Sequence, residues 1–169
     1  AEAIPRKEVI FNQGFLEERG IPNVNRLADF TLVAKRERDL IGVVRLASPG
    51  SFIGGLAEAI PSDPDRYKGY IDSALDRINL AQLAVKEEVR GSGVGQSLVQ
   101  AALNLARQHG YEVVAGQIDE KAGDNEKLTD FYRRCGFTVV PHSEFPPQMT
   151  GTDLRVMTPY SGNKFYIEL

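Results

Sequence analysis

Three glycines at alternate positions, Gly91, Gly93 and Gly95, separate an apolar run from a helical pattern. Leu83-Ala84-Val85 closes the apolar run, and Leu98, Val99, Ala102 and Leu103 recur at helical steps beyond the glycines. A Gly-rich turn of this kind presents several backbone N–H groups, without Cβ obstruction, at the positive end of a helix. That arrangement suits a phosphate or pyrophosphate. The stretch Arg90-Gly91-Ser92-Gly93-Val94-Gly95-Gln96 therefore predicts a phosphate-bearing cofactor.

Three cofactor classes use such turns. A nucleoside-triphosphate loop needs a Lys after its last glycine, and none follows here. A dinucleotide turn of the form G-x-G-x-x-G would need its third glycine at Gln96 or Leu98. The third class fits. Arg90-Gly91-Ser92-Gly93-Val94-Gly95 resembles the [RQ]-x-x-G-x-[GA] signature of the GNAT superfamily of N-acetyltransferases. A second block, from Asn125 through Tyr132 to Gly136-Phe137, resembles that family's N-x(6)-Y-x(3)-G-F segment. The resemblance is carried by residues 79–140, and Arg6 to Pro22 is similar to the first helical region of many members.

The resemblance implies acetyl coenzyme A as co-substrate and no metal. Its pyrophosphate would meet the N–H groups of Arg90, Gly91, Ser92, Gly93, Val94 and Gly95, with Gln96 at the helix entry. Its pantetheine amides would pair with the backbone around Leu83, Ala84 and Val85, on a strand that splays from its neighbour. Tyr132 would protonate the leaving thiolate as general acid, and Asn125 would contact the cofactor arm or the substrate side of the cleft. Lys127, Arg133 and Arg134 are candidates for the outer phosphates. Some relatives carry a Glu about thirteen residues before the signature arginine, where this chain has Arg77. Glu87, Glu88, Asp119 and Glu120 are then alternative bases, and Arg77 a candidate for an acidic substrate group.

Each of these residues has a plainer reading. Asn125 can cap a helix as well as bind, and Tyr132 can pack against a sheet. Cys135 reads as a small buried residue rather than a nucleophile, with no partner histidine in a Cys–His setting. His109 falls at a helix end and His142 in a loop. No His/Cys/Asp cluster has metal-ligand spacing.

The elements that must position these groups follow from periodicity. Residues 6–20 read as a helix stopped by Gly20 and Pro22. Phe30–Lys35 and Leu40–Leu46 read as strands of an antiparallel hairpin. Ala47 to about Ser62 is rich in Gly and Pro and reads as a loop. Asp63-Pro64 signals a helix start, with Tyr67, Ile71, Leu75 and Ile78 on one face. Asn79–Val85 is a buried strand, Gly93–Gln108 the clearest helix, and Tyr111–Ile118 another buried strand. A helix from Asp124 or Asn125 to about Cys135 precedes a strand at Phe137–Val140. Leu154–Thr158 and Lys164–Leu169 are candidate final strands. The expected fold is α/β: one domain over residues 1–169, a mixed, mostly antiparallel sheet splayed at the cofactor site, helices on both faces. The stretch 47–78 is long for a connection, and it is expected to line the acceptor site. Its Glu58, Asp63, Asp65 and Asp72 would attract a cationic amine.

Composition bounds the partners. The 169 residues are 42% hydrophobic and 25% charged with a formal net charge of −3, so no basic field draws the chain to nucleic acid or a membrane. Cys135 is the only cysteine, which fits a reducing, cytoplasmic setting. No apolar run reaches the roughly 18 residues of a membrane span. The N-terminus lacks a signal-peptide pattern, and the start at Ala1 leaves room for a short preceding segment. The expected activity is transfer of acetyl from acetyl coenzyme A to a primary amine, on a small molecule or a peptide, by direct attack. A coenzyme A-binding sensor without turnover and a toxin-type enzyme acting on aminoacyl-tRNA are the alternatives. A homodimer stays open.

Overall fold

A computed structural model describes residues 2–4, 17–21, 26–119, 125–144 and 162–169. The elements run β1 (Glu2–Ile4), β2 (Asp29–Arg36), β3 (Asp39–Ala47), α1 (Gly50–Ala59), α2 (Pro64–Leu75), β4 (Arg77–Val85), α3 (Val94–Gln108), β5 (Val113–Gln117), α4 (Asn125–Arg134), β6 (Thr138–Val140) and β7 (Lys164–Glu168). The sheet order is β1-β2-β3-β4-β5-β7-β6. Among the described residues only the β4–β5 pair is parallel. The mixed, mostly antiparallel sheet agrees with the sequence, and so does the β2–β3 hairpin.

One face of the sheet is sealed by α3. Leu98, Val99, Ala102, Leu103 and Ala106 project from that helix at three- and four-residue steps and pack on Val44, Leu46, Ile78 and Leu80. A Cβ added at Gly42 would stand 2.8 Å from Leu98 Cδ1, so that glycine lets the helix lie close to β3. Tyr132, Phe137 and Phe165 close the same core from α4, the turn after it and β7.

Residues 47–78 differ from the expectation. Gly50–Ala59 is helical, and a 3-10 turn at Ile60–Ser62 continues it. Ile53, Leu56, Ala57 and Ile60 fall on one buried face, and their burial outweighs the poor helix propensity of the glycines among them. The start of α2 is as predicted, with the Asp63 side chain accepting from the Arg66 N–H at 3.3 Å. That helix ends at Leu75, and Ile78 belongs to β4 instead. The α1–α2 pair shares a second core with Ile21 and Leu27, distinct from the core under α3. The helix expected over residues 6–20 lies outside the described residues except at its end, and the strand expected at 154–158 lies outside them entirely. The described chain contains no helix long and apolar enough to cross a membrane.

Candidate active site

The site begins where two strands part. β4 pairs with β5 at three positions only, Arg77↔Val113, Ile78↔Val114 and Asn79↔Ala115. Beyond Asn79, β4 continues beside β3 to Val85, while β5 continues beside β7 to Gln117. A gap therefore opens between them.

The hydrogen-bond phase along β4 says which main-chain groups face that gap. Lys86 N–H donates to the Ile41 carbonyl at 2.9 Å, which makes 86/41 a bonded pair with β3. Bonded and non-bonded pairs alternate in an antiparallel ladder. Ala84, opposite Val43, thus turns its N–H and C=O toward β3, and Leu83 and Val85 turn theirs into the gap. Of the three strand residues singled out in sequence, Leu83 and Val85 turn backbone into the gap, Val85 with its carbonyl already accepting from Arg90, and Ala84 does not.

A bulge sets the side chains. Arg45 pairs with Gln82 and Leu46 with Leu80, so Ala81 is an extra residue on β4. It reverses the alternation. Ile78 and Leu80 face the α3 core, and past the bulge Leu83 and Val85 face it again. Arg77 and Asn79 lie on the opposite face, where Arg77 Nε donates to Asn79 Oδ1 at 3.0 Å. Burial lowers the Arg77 guanidinium to about 10. On the same face Arg45 grips the buried Asp29 carboxylate, its Nε 2.9 Å from Oδ1. Sequence reasoning missed the bulge, Asn79 and this ion pair.

The glycine turn is built as a cradle with two amides already engaged. Arg90 N–H donates to Glu87 C=O at 3.1 Å, closing the 3-10 turn Glu87–Val89, and Ser92 N–H donates to Val89 C=O at 3.3 Å in the turn that follows. This corrects the expectation that all six residues from Arg90 to Gly95 offer N–H groups. The first bond of α3 runs from Ser97 N–H to Gly93 C=O. The amides of Gly91, Gly93, Val94, Gly95 and Gln96 have no backbone acceptor among the described residues. Gly91 and Gly93 sit at φ +78° and +87°, which side-chain-bearing residues rarely adopt, and both face open space. A Cβ at Gly95 would touch the Phe131 ring at 3.4 Å, an ordinary contact. Arg90 turns back along the gap, its Nε 3.2 Å from the Val85 carbonyl.

Tyr132 packs on Phe165 of β7, the strand paired with β5. Its ring stacks on Phe165 with centroids 3.8 Å apart and planes 13° from parallel, and Phe131 and Phe137 meet it edge-on. It is 8% exposed. Burial, and in second place the neighbouring Cys135, raises its phenol above the ordinary value. Burial also raises the Cys135 thiol above its ordinary value, which favours the protonated thiol. Asn125, at the start of α4, has a buried Oδ1 without a hydrogen-bond partner among the described residues. An orphaned buried acceptor is costly unless a donor arrives.

The other candidates scatter. Glu87 and Glu88 lie beside the cradle, Glu88 3.7 Å from Lys86. Arg133 pairs with Asp130 at 3.6 Å on the exposed side of α4. His142 Nδ1 meets Gln117 Nε2 at 3.0 Å, and Glu120 lies outside the described residues. Among the described residues no group of three His, Cys, Asp or Glu side chains could hold a metal ion.

Comparison with known proteins bears on this geometry. The model of the acetyltransferase (GNAT) family matches residues 5–137. N-alpha-acetyltransferase 30 of Schizosaccharomyces pombe (strain 972 / ATCC 24843) is 33% identical over 82 residues, 44% of this chain and 53% of that protein. The chain thus spans about half the length of this curated relative. Among solved structures, the IAA acetyltransferase from Bacillus cereus ATCC 14579 is 16% identical with a TM-score of 0.51, covering 99% of each chain. A Bacillus subtilis acetyltransferase in complex with CoA is 17% identical with a TM-score of 0.52, covering 99% of this chain and 98% of its own. At these identities the two structures speak for the fold.

Proposed function

The chain belongs to the acetyltransferase (GNAT) family, and on that premise we propose that it transfers acetyl from acetyl coenzyme A to a primary amine by direct attack, with Tyr132 as general acid. The observation that carries this reading is the parting of β4 from β5 after Asn79, with the backbone of Leu83 and Val85 turned into the gap. The residues present fit the co-substrate. Among the described residues, five amides without a backbone acceptor lie at one end of the gap, and the Asn125 Oδ1, without a partner there, can accept from an N–H.

Acetyl coenzyme A supplies the activated acyl thioester when bound. The amides of Gly91, Gly93, Val94, Gly95 and Gln96 would hold its pyrophosphate, aided by the positive end of α3. Leu83 and Val85 would pair with its arm as an added strand does. Tyr132 holds a proton at its phenolic oxygen for the leaving thiolate. Burial favours that protonated form, so the donor is loaded throughout the neutral range. Arg77 stands near the vertex where some relatives have a carboxylate, so no base is assigned and the amine is taken to lose its proton to water.

The acceptor is proposed to be a small primary amine. A free protein N-terminus is the second reading, favoured by the likeness to an N-alpha-acetyltransferase. Calorimetry with coenzyme A, followed by thiol release from acetyl coenzyme A across small amines and peptides with free N-termini, tests the whole. Affinity with amine-dependent release is expected. Affinity with no release on any amine supports a sensor, and no affinity overturns the reading.

A further inference from the structure

Gly116 and Phe165 face each other across the β5–β7 ladder. Gly116 is the first β5 residue past the last β4 pair, where the gap begins. A Cβ on Gly116 would collide with the Phe165 ring, so the bare glycine leaves the room that the ring occupies. The same ring carries Tyr132 in a near-parallel stack, 3.8 Å between centroids. Phe131 and Phe137 press on Tyr132 edge-on, at 76° and 85° between planes. Phe165 is itself 1% exposed and meets Phe137 edge-on at 5.2 Å. The Tyr132 ring is thus packed by three aromatic rings, one stacked and two steeply tilted.

We propose that Phe165, seated on Gly116, is a positioning residue that fixes the Tyr132 phenol at the mouth of the gap. The proposal rests on Tyr132 being the general acid. A donor must be within hydrogen-bond reach of the atom it serves, and an error of about 1 Å can cost about 100-fold in rate. Neighbouring aromatic rings prefer defined offsets and tilts, so this stack orients as well as buries. A Leu at 165 would keep an apolar contact and lose the flat face.

The test compares wild type, Phe165→Leu, Tyr132→Phe and the double variant. Turnover, coenzyme A affinity by calorimetry, and the ring signals of 13C-labelled tyrosine by NMR are measured on each. Phe165→Leu is expected to lower kcat about tenfold, leave affinity within about twofold, and shift or broaden the Tyr132 ring signals. In the Tyr132→Phe background it should lower kcat no further. Gly116→Ala acts on the same ring from beneath and should shift the same signals. Unchanged kcat and ring signals in Phe165→Leu would overturn the proposal while a slow Tyr132→Phe leaves the general-acid reading standing. So would an equal kcat loss from Phe165→Leu in both backgrounds, since a general core defect behaves that way. Full turnover in Tyr132→Phe would overturn the general-acid reading, and this one with it.

Discussion

Arg90 Nε donates to the carbonyl of Val85 at 3.2 Å. The signature arginine therefore reaches the last residue of β4, on the side that faces the gap. It closes the loop from the strand end to the glycine turn, so the gap wall and the cradle are tied together. Hydrogen bonds to a charged group contribute about 1.5–3 kcal/mol when sheltered, and less at an exposed site such as this. Arg90→Ala is accordingly expected to weaken coenzyme A binding by about three- to tenfold, with Arg90→Lys recovering only part. Calorimetry reads this directly. Equal affinity in wild type and Arg90→Ala would show the tie has no part in binding.

Tyr132→Phe should lower kcat by about 100-fold or more and leave coenzyme A affinity within about twofold. The pH dependence follows from the raised phenol, whose ordinary value is 10.0. A donor raised by burial stays protonated through neutral and mildly alkaline solution, so Tyr132 should impose no loss of kcat below about pH 10. The stability contribution has the same sign. Below about pH 10 the phenol is protonated in both folded and unfolded chains. As pH rises further the unfolded chain ionises first, and this contribution is lost. A kcat–pH profile falling near pH 8 in wild type but not in Tyr132→Phe would contradict it.

Gly93 and Gly95 should respond differently to a side chain. Gly93 caps α3 at φ +87°, a conformation that costs a side-chain-bearing residue roughly 1–2 kcal/mol. Gly93→Val should therefore distort the turn and weaken coenzyme A binding by at least about tenfold. The cause is backbone strain, since the space beside Gly93 is open. Gly95→Ala places a methyl in ordinary contact with Phe131 and Val85, and its affinity should stay within about twofold. Affinities for coenzyme A in the two variants decide the point. Equal losses in both would mean the turn geometry is not what binds.

The cradle is legible in sequence because its causes are local. Gly91 and Gly93 answer a backbone requirement at their own positions, and the apolar steps of α3 start at once. The facing of Leu83 and Val85 is legible only through resemblance, because it depends on the phase of the β3–β4 ladder. The bulge at Ala81 leaves no mark in composition, yet it decides which side chains reach the core. Helix α1 is hidden because Gly50, Gly54 and Gly55 mask the spacing of Ile53, Leu56, Ala57 and Ile60. Phe165 and Asp29 contact Tyr132 and Arg45 from other strands or helices, and no local pattern joins those partners.

The α1–α2 pair invites the last prediction. β4 starts at Arg77, where α2 has just ended, and finishes at Val85 beside the cradle. Eight residue steps of strand separate the two ends by roughly 26 Å. Under the proposed function, a co-substrate held by its pyrophosphate at the Val85 end would extend its reactive end toward the other, where the helical pair is attached. That pair has its own core, in which Leu56 is 3% exposed and packs with Ile53, Ile71 and Leu75 rather than with the α3 cluster. Leu56→Ala should cost about 2–5 kcal/mol of packing in that core alone. If the pair lines the acceptor site, the acceptor KM should rise several-fold while coenzyme A affinity holds. Parallel losses in acceptor KM and coenzyme A affinity would make the pair a prop for the whole sheet. Unchanged values for both would place it outside the acceptor's path, and steady-state kinetics with calorimetry on one variant separates the three.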